Sequence, residues 1–410
     1  MIISTNNIFT KIMAWLVIIH ITTVSMWSIY IKAFIYMGIL IVIGNYFIKY
    51  KKNTCFFRKT NLDLIFLMYF FYCIFNLVLM FDNTVKFIYG IYEYIFYISF
   101  LFFWMEIFSY IKFNYIEKYI CFISIITSFM SIYEYVFQSY IFSQEGYLVW
   151  NVEGDAVFRA IAFATSPMTL GILVDIYILT ALKKFIESRK KIYIFLIVLN
   201  FISLICTYSR GPLVALIASI IVYGVLSMKK IKIKYIFYIL ILVSIIIITL
   251  NMYDSNDIIV RIYSIIDWND DPANLGRILV WLQSINIIFS DVYTFLFGIG
   301  LASTGALGLG QFTIMVTESG VLKRFVEGGL FMMILNYLII FKIIALGIKN
   351  LKKQNIKVKR EIIYAISCIT VILIDDCTLQ VTEDIGTSCL FWLFMAIILT
   401  VSNKIKKKSL

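Results

Sequence analysis

The sequence predicts an all-α polytopic membrane protein with about twelve transmembrane helices. Three observations carry that prediction: 62% of the residues are hydrophobic, mean hydropathy is +0.92, and only three prolines interrupt 410 residues. A spanning helix needs about 20 predominantly apolar residues. Candidate stretches lie at 12–30, 33–48, 62–81, 87–111, 119–137, 158–182, 192–208, 212–228, 235–252, 325–347, 361–379 and 385–401. The first lacks a small-residue cleavage site and is followed at once by the second, which predicts a retained helical hairpin rather than a signal peptide. No Pro- or Ser-rich linker and no repeat divides the chain, so 1–410 reads as a single integral membrane domain.

A net charge of +12 would point to nucleic acid in a soluble chain, but here the placement of charge decides. With the N-terminus inside, 28 of the 36 Lys and Arg residues fall in inner connections and the tail. The outer eight are Lys32, Lys86, Arg159, Arg210, Arg261, Arg277, Lys323 and Arg324. That distribution predicts cytoplasmic N- and C-termini, and no nucleic-acid partner. Five of the eight arginines are outside against three of the 28 lysines. Orientation needs only positive charge, so a guanidinium bias on the far side points to bidentate recognition of a carboxylate or phosphate. Pairing with acids of the same large loop (Asp254, Asp257, Asp267, Asp270, Asp271, Asp291) is the alternative.

Taken in order, the first helix holds the only histidine, His20, among isoleucines, where a structural role outweighs a catalytic one. The seven cysteines include no C-x-x-C pair and imply neither a metal site nor a disulfide framework. The first outer loop, 138–157, is aromatic and acidic; it leads to Phe158-Arg159-Ala160 and then to Ser166-Pro167 inside the sixth candidate helix. The seventh candidate helix ends in Thr207-Tyr208-Ser209-Arg210-Gly211-Pro212, an outer turn placing a guanidinium beside hydroxyls.

A large extracytoplasmic loop, 253–324, separates helices 9 and 10; loops of such length are usually functional. Asp271 and Pro272 predict a helix start within it. Leu275, Leu279, Leu282 and Phe289 then form one apolar stripe suited to a membrane surface, while Arg277, Trp281 and Ser284 share another face. A guanidinium beside an indole suits a phosphate next to a sugar ring; an ordinary interfacial helix is the plainer alternative. The loop closes with Gly298-Ile299-Gly300 and the run Thr317-Glu318-Ser319-Gly320 to Gly329. Without a preceding strand or a P-loop lysine, the glycines predict no nucleotide site. Glu318 is a candidate general base, or else a helix-start charge paired with nearby cations. Glu93, Glu106, Glu134, Asp175, Asp375 and Asp376 fall in or near apolar helices, where carboxylates often mark a proton pathway. Their nearness to helix ends predicts interfacial positions instead.

Four stretches in order, Arg159 to Pro167, Ser209-Arg210-Gly211-Pro212, Gly276-Arg277 to Trp281 with Gly298-Ile299-Gly300, and Glu318 to Gly329, resemble the O-antigen polymerase and O-antigen ligase superfamily. The resemblance covers roughly the second half of the chain. It implies a fold like the C-type (GT-C) helical glycosyltransferases, in the bacterial inner (cytoplasmic) membrane, with no cofactor and no metal. The implied substrate is an undecaprenyl-diphosphate-linked oligosaccharide on the outer face, with membrane lipid, a chain-length regulator and a flippase as partners. Arg210 and Arg277 are implied to engage the diphosphate, assisted by Arg159 and Arg324, with Trp281 stacking a sugar and Glu318 activating the acceptor. Ligases of the superfamily carry a His-Asn pair near the position of Thr317-Glu318-Ser319; no histidine stands there, which favours the polymerase branch. Much Ile, Lys, Asn, Phe and Tyr with little Ala is the usage of an AT-rich genome, where capsule or exopolysaccharide is as natural a product as O antigen. The competing classes are a flippase for the same lipid-linked oligosaccharide, and a structural membrane subunit.

Overall fold

The structure is a computed structural model describing residues 2–24, 29–52, 62–142, 148–150, 156–227, 272–305, 315–351 and 355–408. The ninth candidate helix, Lys229, Lys230, Lys232 and Lys234, and the large-loop residues Asp254, Asp257, Arg261, Asp267, Asp270 and Asp271 lie outside the described residues. So does most of the first outer loop between 143 and 155.

Each of the remaining eleven candidate stretches overlaps a helix, the sixth only from Pro167 because 158–166 is strand and turn: α1 Ile2–Thr22, α2 Ile29–Lys52, α3 Leu62–Leu79, α4 Thr84–Gly90 continued by a π-helical turn Ile91–Phe96 into α5 Tyr97–Ile107, α6 Phe113–Phe137, α7 Pro167–Ser188, α8 Ile192–Cys206 and α9 Arg210–Ser227. After the undescribed segment come α10 Pro272–Ile288, α11 Val292–Phe297, α12 Gly320–Leu351, α13 Ile356–Thr378, a 3-10 turn Val381–Glu383 and α14 Ile385–Lys408. Seven helices among the described residues are long and apolar enough to cross a membrane. One departure from the all-α expectation is a short antiparallel hairpin, β1 Leu148–Trp150 with β2 Ala156–Phe158, leading into Arg159.

Local chemistry sets the helix ends. Ser166 accepts the Thr169 N–H at 3.1 Å and Pro167 occupies the first turn of α7. Gln138 and Arg189 close α6 and α7 in left-handed conformations. The π-helical turn occurs where backbone registration slips by one residue, a feature that recurs at functional sites.

α14 is the central post: 89% of its spanning window is buried, against 33% for those of α2 and α12. It packs on α5, α12, α13 and α1, and Trp104 of α5 donates to the Cys389 carbonyl at 3.0 Å. The periphery turns apolar side chains outward, as at Leu67 and Phe71, matching a hydrocarbon solvent. Several of the acids near helix ends are covered by neighbouring helices. Glu106, Glu134, Asp175, Asp375 and Asp376 are all at most 4% exposed. Some have protein donors that offset burial: Glu134 receives the N–H groups of Ile161 (2.9 Å) and Ala162 (2.7 Å), shaping the entry to α7.

Candidate functional site

α13 ends where two other helices begin. Gly211, in the first turn of α9, leaves no room for a Cβ beside the Asp375 carboxylate, and Gly320, at the start of α12, leaves none beside Asp376. The Arg210 turn and the Glu318 segment are therefore seated on adjacent residues of one helix. This brings two of the sequence stretches to one end of the body.

Arg159 braces the first. Its Nε donates to the Thr207 carbonyl at 3.0 Å and its Nη2 to Ser209 Oγ at 2.5 Å, with the side chain buried. Tyr208, at φ +52, turns the chain so that Arg210 opens α9. Arg159 thus shapes the turn on which Arg210 stands.

The second stretch meets α10. The apolar stripe of α10 is exposed at Leu275, Leu279, Leu282 and Phe289, as a membrane-facing stripe should be, while Ser284 is buried. The face carrying Arg277 and Trp281 turns to the start of α12. Arg277 Nε pairs with Glu318 Oε2 at 3.0 Å, and Trp281 Nε1 donates to the Glu318 carbonyl at 3.3 Å. Both charges keep solvent access: the Arg277 side chain is 23% exposed and that of Glu318 41%. Glu318 sits at φ +48, a left-handed conformation costing a non-glycine residue roughly 1–3 kcal/mol. Residues in contact with it support that strain. Thr317 donates its N–H to the Gln380 amide oxygen at 2.9 Å when the amide is oriented by its hydrogen-bond network.

Arg324 stands apart from this pair. Its Nη1 donates to Asp376 Oδ2 and to the Gly320 carbonyl, at 2.6 and 2.8 Å, and its Nη2 to Thr382 Oγ1 at 2.6 Å. It ties α12 to α13. Lys323 beside it contacts Glu93 Oε1 at 2.7 Å, Glu383, and Glu327 at 3.9 Å. Glu327 in turn accepts from Tyr94 (2.5 Å), the Ala302 N–H (2.9 Å), and the N–H and hydroxyl of Thr304 (2.7 Å each).

The glycine run is a packing device. Ile299 and Gly300 donate to the Val326 and Glu327 carbonyls at 2.9 and 3.0 Å, and Gly298, at φ +76, has no space for a Cβ against the backbone of α12. Asn76 of α3 clamps both sides, donating to the Phe297 carbonyl at 2.8 Å and accepting from Leu301 N–H at 3.0 Å.

Asp291, outside the helical body, caps α11 by accepting the Thr294 N–H at 2.8 Å and its hydroxyl at 2.7 Å. Those bonds hold its carboxyl below the usual carboxylate range. Among the described residues no group of three or more His, Cys, Asp or Glu side chains is arranged to hold a metal ion.

Sequence reasoning did not find Asp375, Asp376, Gln380 or Glu383 as organisers of this end. The signal present was an acid pair followed closely by Glu383 and Asp384 at the end of an apolar stretch.

Residues 195–337 match the family model described as O-Antigen ligase. That domain spans α8 to the first half of α12 and contains Arg210, Arg277, Trp281, Glu318 and Arg324, while Arg159, Glu93 and Asp376 fall outside it. A comparison with curated proteins finds no match.

Proposed function

From an O-antigen ligase domain set in a multi-pass helical membrane protein, we propose a polysaccharide repeat-unit polymerase. It transfers glycan from undecaprenyl diphosphate to a lipid-linked acceptor repeat unit, at the outer face of the bacterial cytoplasmic membrane with both termini inside. The product is O antigen, capsule or exopolysaccharide.

The observation that carries this reading is the half-exposed Arg277–Glu318 pair beside Trp281. An arriving diphosphate competes with Glu318 for the guanidinium. Its arrival frees the carboxylate for the acceptor. The acceptor hydroxyl oxygen bonds to the anomeric carbon, its proton passes to Glu318, and the carbon–oxygen bond to diphosphate breaks with its electron pair leaving on the diphosphate. Arg277 and Arg210 stabilise charge that grows during that step. Trp281 offers a face for the sugar; Arg159 and Arg324 act by positioning the Arg210 turn and the Glu318 segment.

The test is purified protein with a synthetic lipid-diphosphate repeat unit, products resolved by length. A ladder is expected, falling about 100- to 1000-fold in Arg277→Ala. Arg277→Lys should rescue little, since one ammonium does not reproduce the guanidinium fork. Lipid-linked single repeats that fail to reach the outer surface in Arg277→Lys cells would favour a flippase instead. The family description supports a second reading, ligation of finished glycan to a lipid acceptor. Transfer to such an acceptor without chain extension would establish it.

A further inference from the structure

Between α3, the π-helical turn, α12, α13 and α14 lies a cavity of about 50 Å³, whose wall includes Glu93, Lys323, Arg324, Asn336, Asp376 and Thr382. That is room for about three waters at ~15 Å³ each. Two polar atoms in its wall have no hydrogen-bond partner: Glu93 Oε2 and Asn336 Nδ2. The Glu93 side chain is 9% exposed and Asn336 5%.

Among the described residues the charges of Glu93 and Glu327 do not balance: one ammonium, Lys323, lies against both and also contacts Glu383, while Arg324 is taken by Asp376. Among the described residues, Tyr89 on the preceding turn and Tyr69, Tyr94 and Tyr97 in the cavity wall are further titratable groups nearby, and a phenol supplies no cation. A surplus of buried negative charge is costly in a membrane body unless a proton or cation joins it. Four donors fill the acceptor sites of Glu327. Glu383 Oε1 meets both Lys323 and, at 3.0 Å, the Gln380 amide nitrogen. Glu93 Oε2, on a residue of the cavity wall, has no donor and is open to a proton.

We propose that this chamber is a proton site. Glu93 holds a dissociable proton on Oε2 and exchanges it through cavity water, and its charge state positions Glu318. While Glu93 is protonated, Lys323 is held by Glu383, which holds Gln380, which holds Thr317 in place next to Glu318. When Glu93 ionises it draws Lys323 toward itself and loosens that string. Glu93 is a positioning residue, and its link to turnover rests on the proposed function; the proton site itself does not.

Infrared spectroscopy of the purified protein without substrate tests the site. A carboxylic-acid carbonyl band is expected at neutral pH, shifting on exchange into D2O and smaller by one carboxyl in Glu93→Gln. Asp175 and Asp375, also buried and without hydrogen-bond partners, contribute equally to both proteins and cancel. An unchanged acid band in Glu93→Gln overturns the proposal. If that variant does not fold, Glu93→Asp keeps the carboxyl and must move the band; an unmoved band overturns it equally. Chain extension against pH tests the coupling. The wild type should lose turnover on the alkaline side and Glu93→Gln should not, with KM little changed. The same alkaline loss in both proteins overturns the coupling, and an absence of extension at every pH counts against the polymerase reading while leaving the infrared result to stand.

Discussion

Two buried ionic centres lie toward opposite ends of α13, and their difference separates scaffold from site. Near its start, Lys183 and Lys184 share Glu117, with Glu187 at 3.7 and 3.5 Å. Two cations meet two carboxylates in direct contact, and Glu361 with Lys357 adds one charge of each sign nearby. Lys183 also lies 5.2 and 5.3 Å from the ring centres of Phe113 and Tyr364, and the Tyr364 hydroxyl bonds Thr180 at 2.7 Å. Twelve residues along α13, about 18 Å at 1.5 Å per residue, Asp376 meets Arg324 beside the acid-rich Lys323 centre. There, among the described residues, one ammonium lies against both Glu93 and Glu327 and also contacts Glu383. The paired charges make the first centre a fastening between α6 and α7; the surplus at Glu93 and Glu327 makes the second, on our proposal, responsive to protons.

The strongest way to break the comparison is to remove the cation from the unbalanced centre. Lys323→Met leaves Glu93, Glu327 and Glu383 without their shared ammonium, and stripping one partner from a buried ion pair costs about 3–5 kcal/mol. A large fall in the thermal midpoint of the detergent-solubilised protein is expected, larger at alkaline pH than at acid pH because protonation relieves the surplus. A loss independent of pH would mean that the centre is as fixed as the other one.

A somewhat smaller loss is expected at the balanced centre. Glu117→Gln removes the carboxylate shared by Lys183 and Lys184 and leaves them Glu187, the Asn114 amide oxygen at 2.7 Å and the aromatic faces, at a cost of about 3 kcal/mol. The folded fraction should retain its specific chain-extension activity and its pH profile. A changed pH profile would show that the two centres communicate along α13.

Much of this architecture could be read from periodicity and local chemistry. The outward leucine stripe of α10 and its separate Arg277–Trp281 face followed from spacing alone, whereas the sixth candidate stretch, taken from 158, is helical only from Ser166-Pro167, which lies inside it. Partners across the fold were not readable. Arg277 and Glu318 are 41 residues apart, and Lys323 and Glu93 are 230 apart; hydrophobic pattern tells which face is buried, not what it meets. Sequence leaves Glu318 as a base or as a cation's partner, and in the structure its cation is Arg277 rather than Lys323 or Arg324. The sequence places most of these acids near helix ends, but hydropathy there is the same whether the side chain turns to headgroups or to a protein donor. Only the packed neighbours distinguish the two.

The smallest effect belongs to a third carboxylate, fully exposed, which shows what solvent does to the same chemistry. Asp291 caps α11 through the Thr294 N–H and hydroxyl, and its negative charge lies at a helix N-terminus. Its folded value is lowered, so the charge contributes stability above the unfolded carboxylate value, and that contribution is lost as pH falls through the folded value. Asp291→Asn keeps an oxygen for the Thr294 N–H but gives up the charge. Hydrogen exchange at Thr294 should therefore be modestly faster in the variant at neutral pH, with the ratio of variant to wild type approaching one on acidification. A ratio constant from neutral to acid pH would assign the cap to hydrogen-bond geometry alone, and the contrast with the buried centres would then rest on shape rather than on charge.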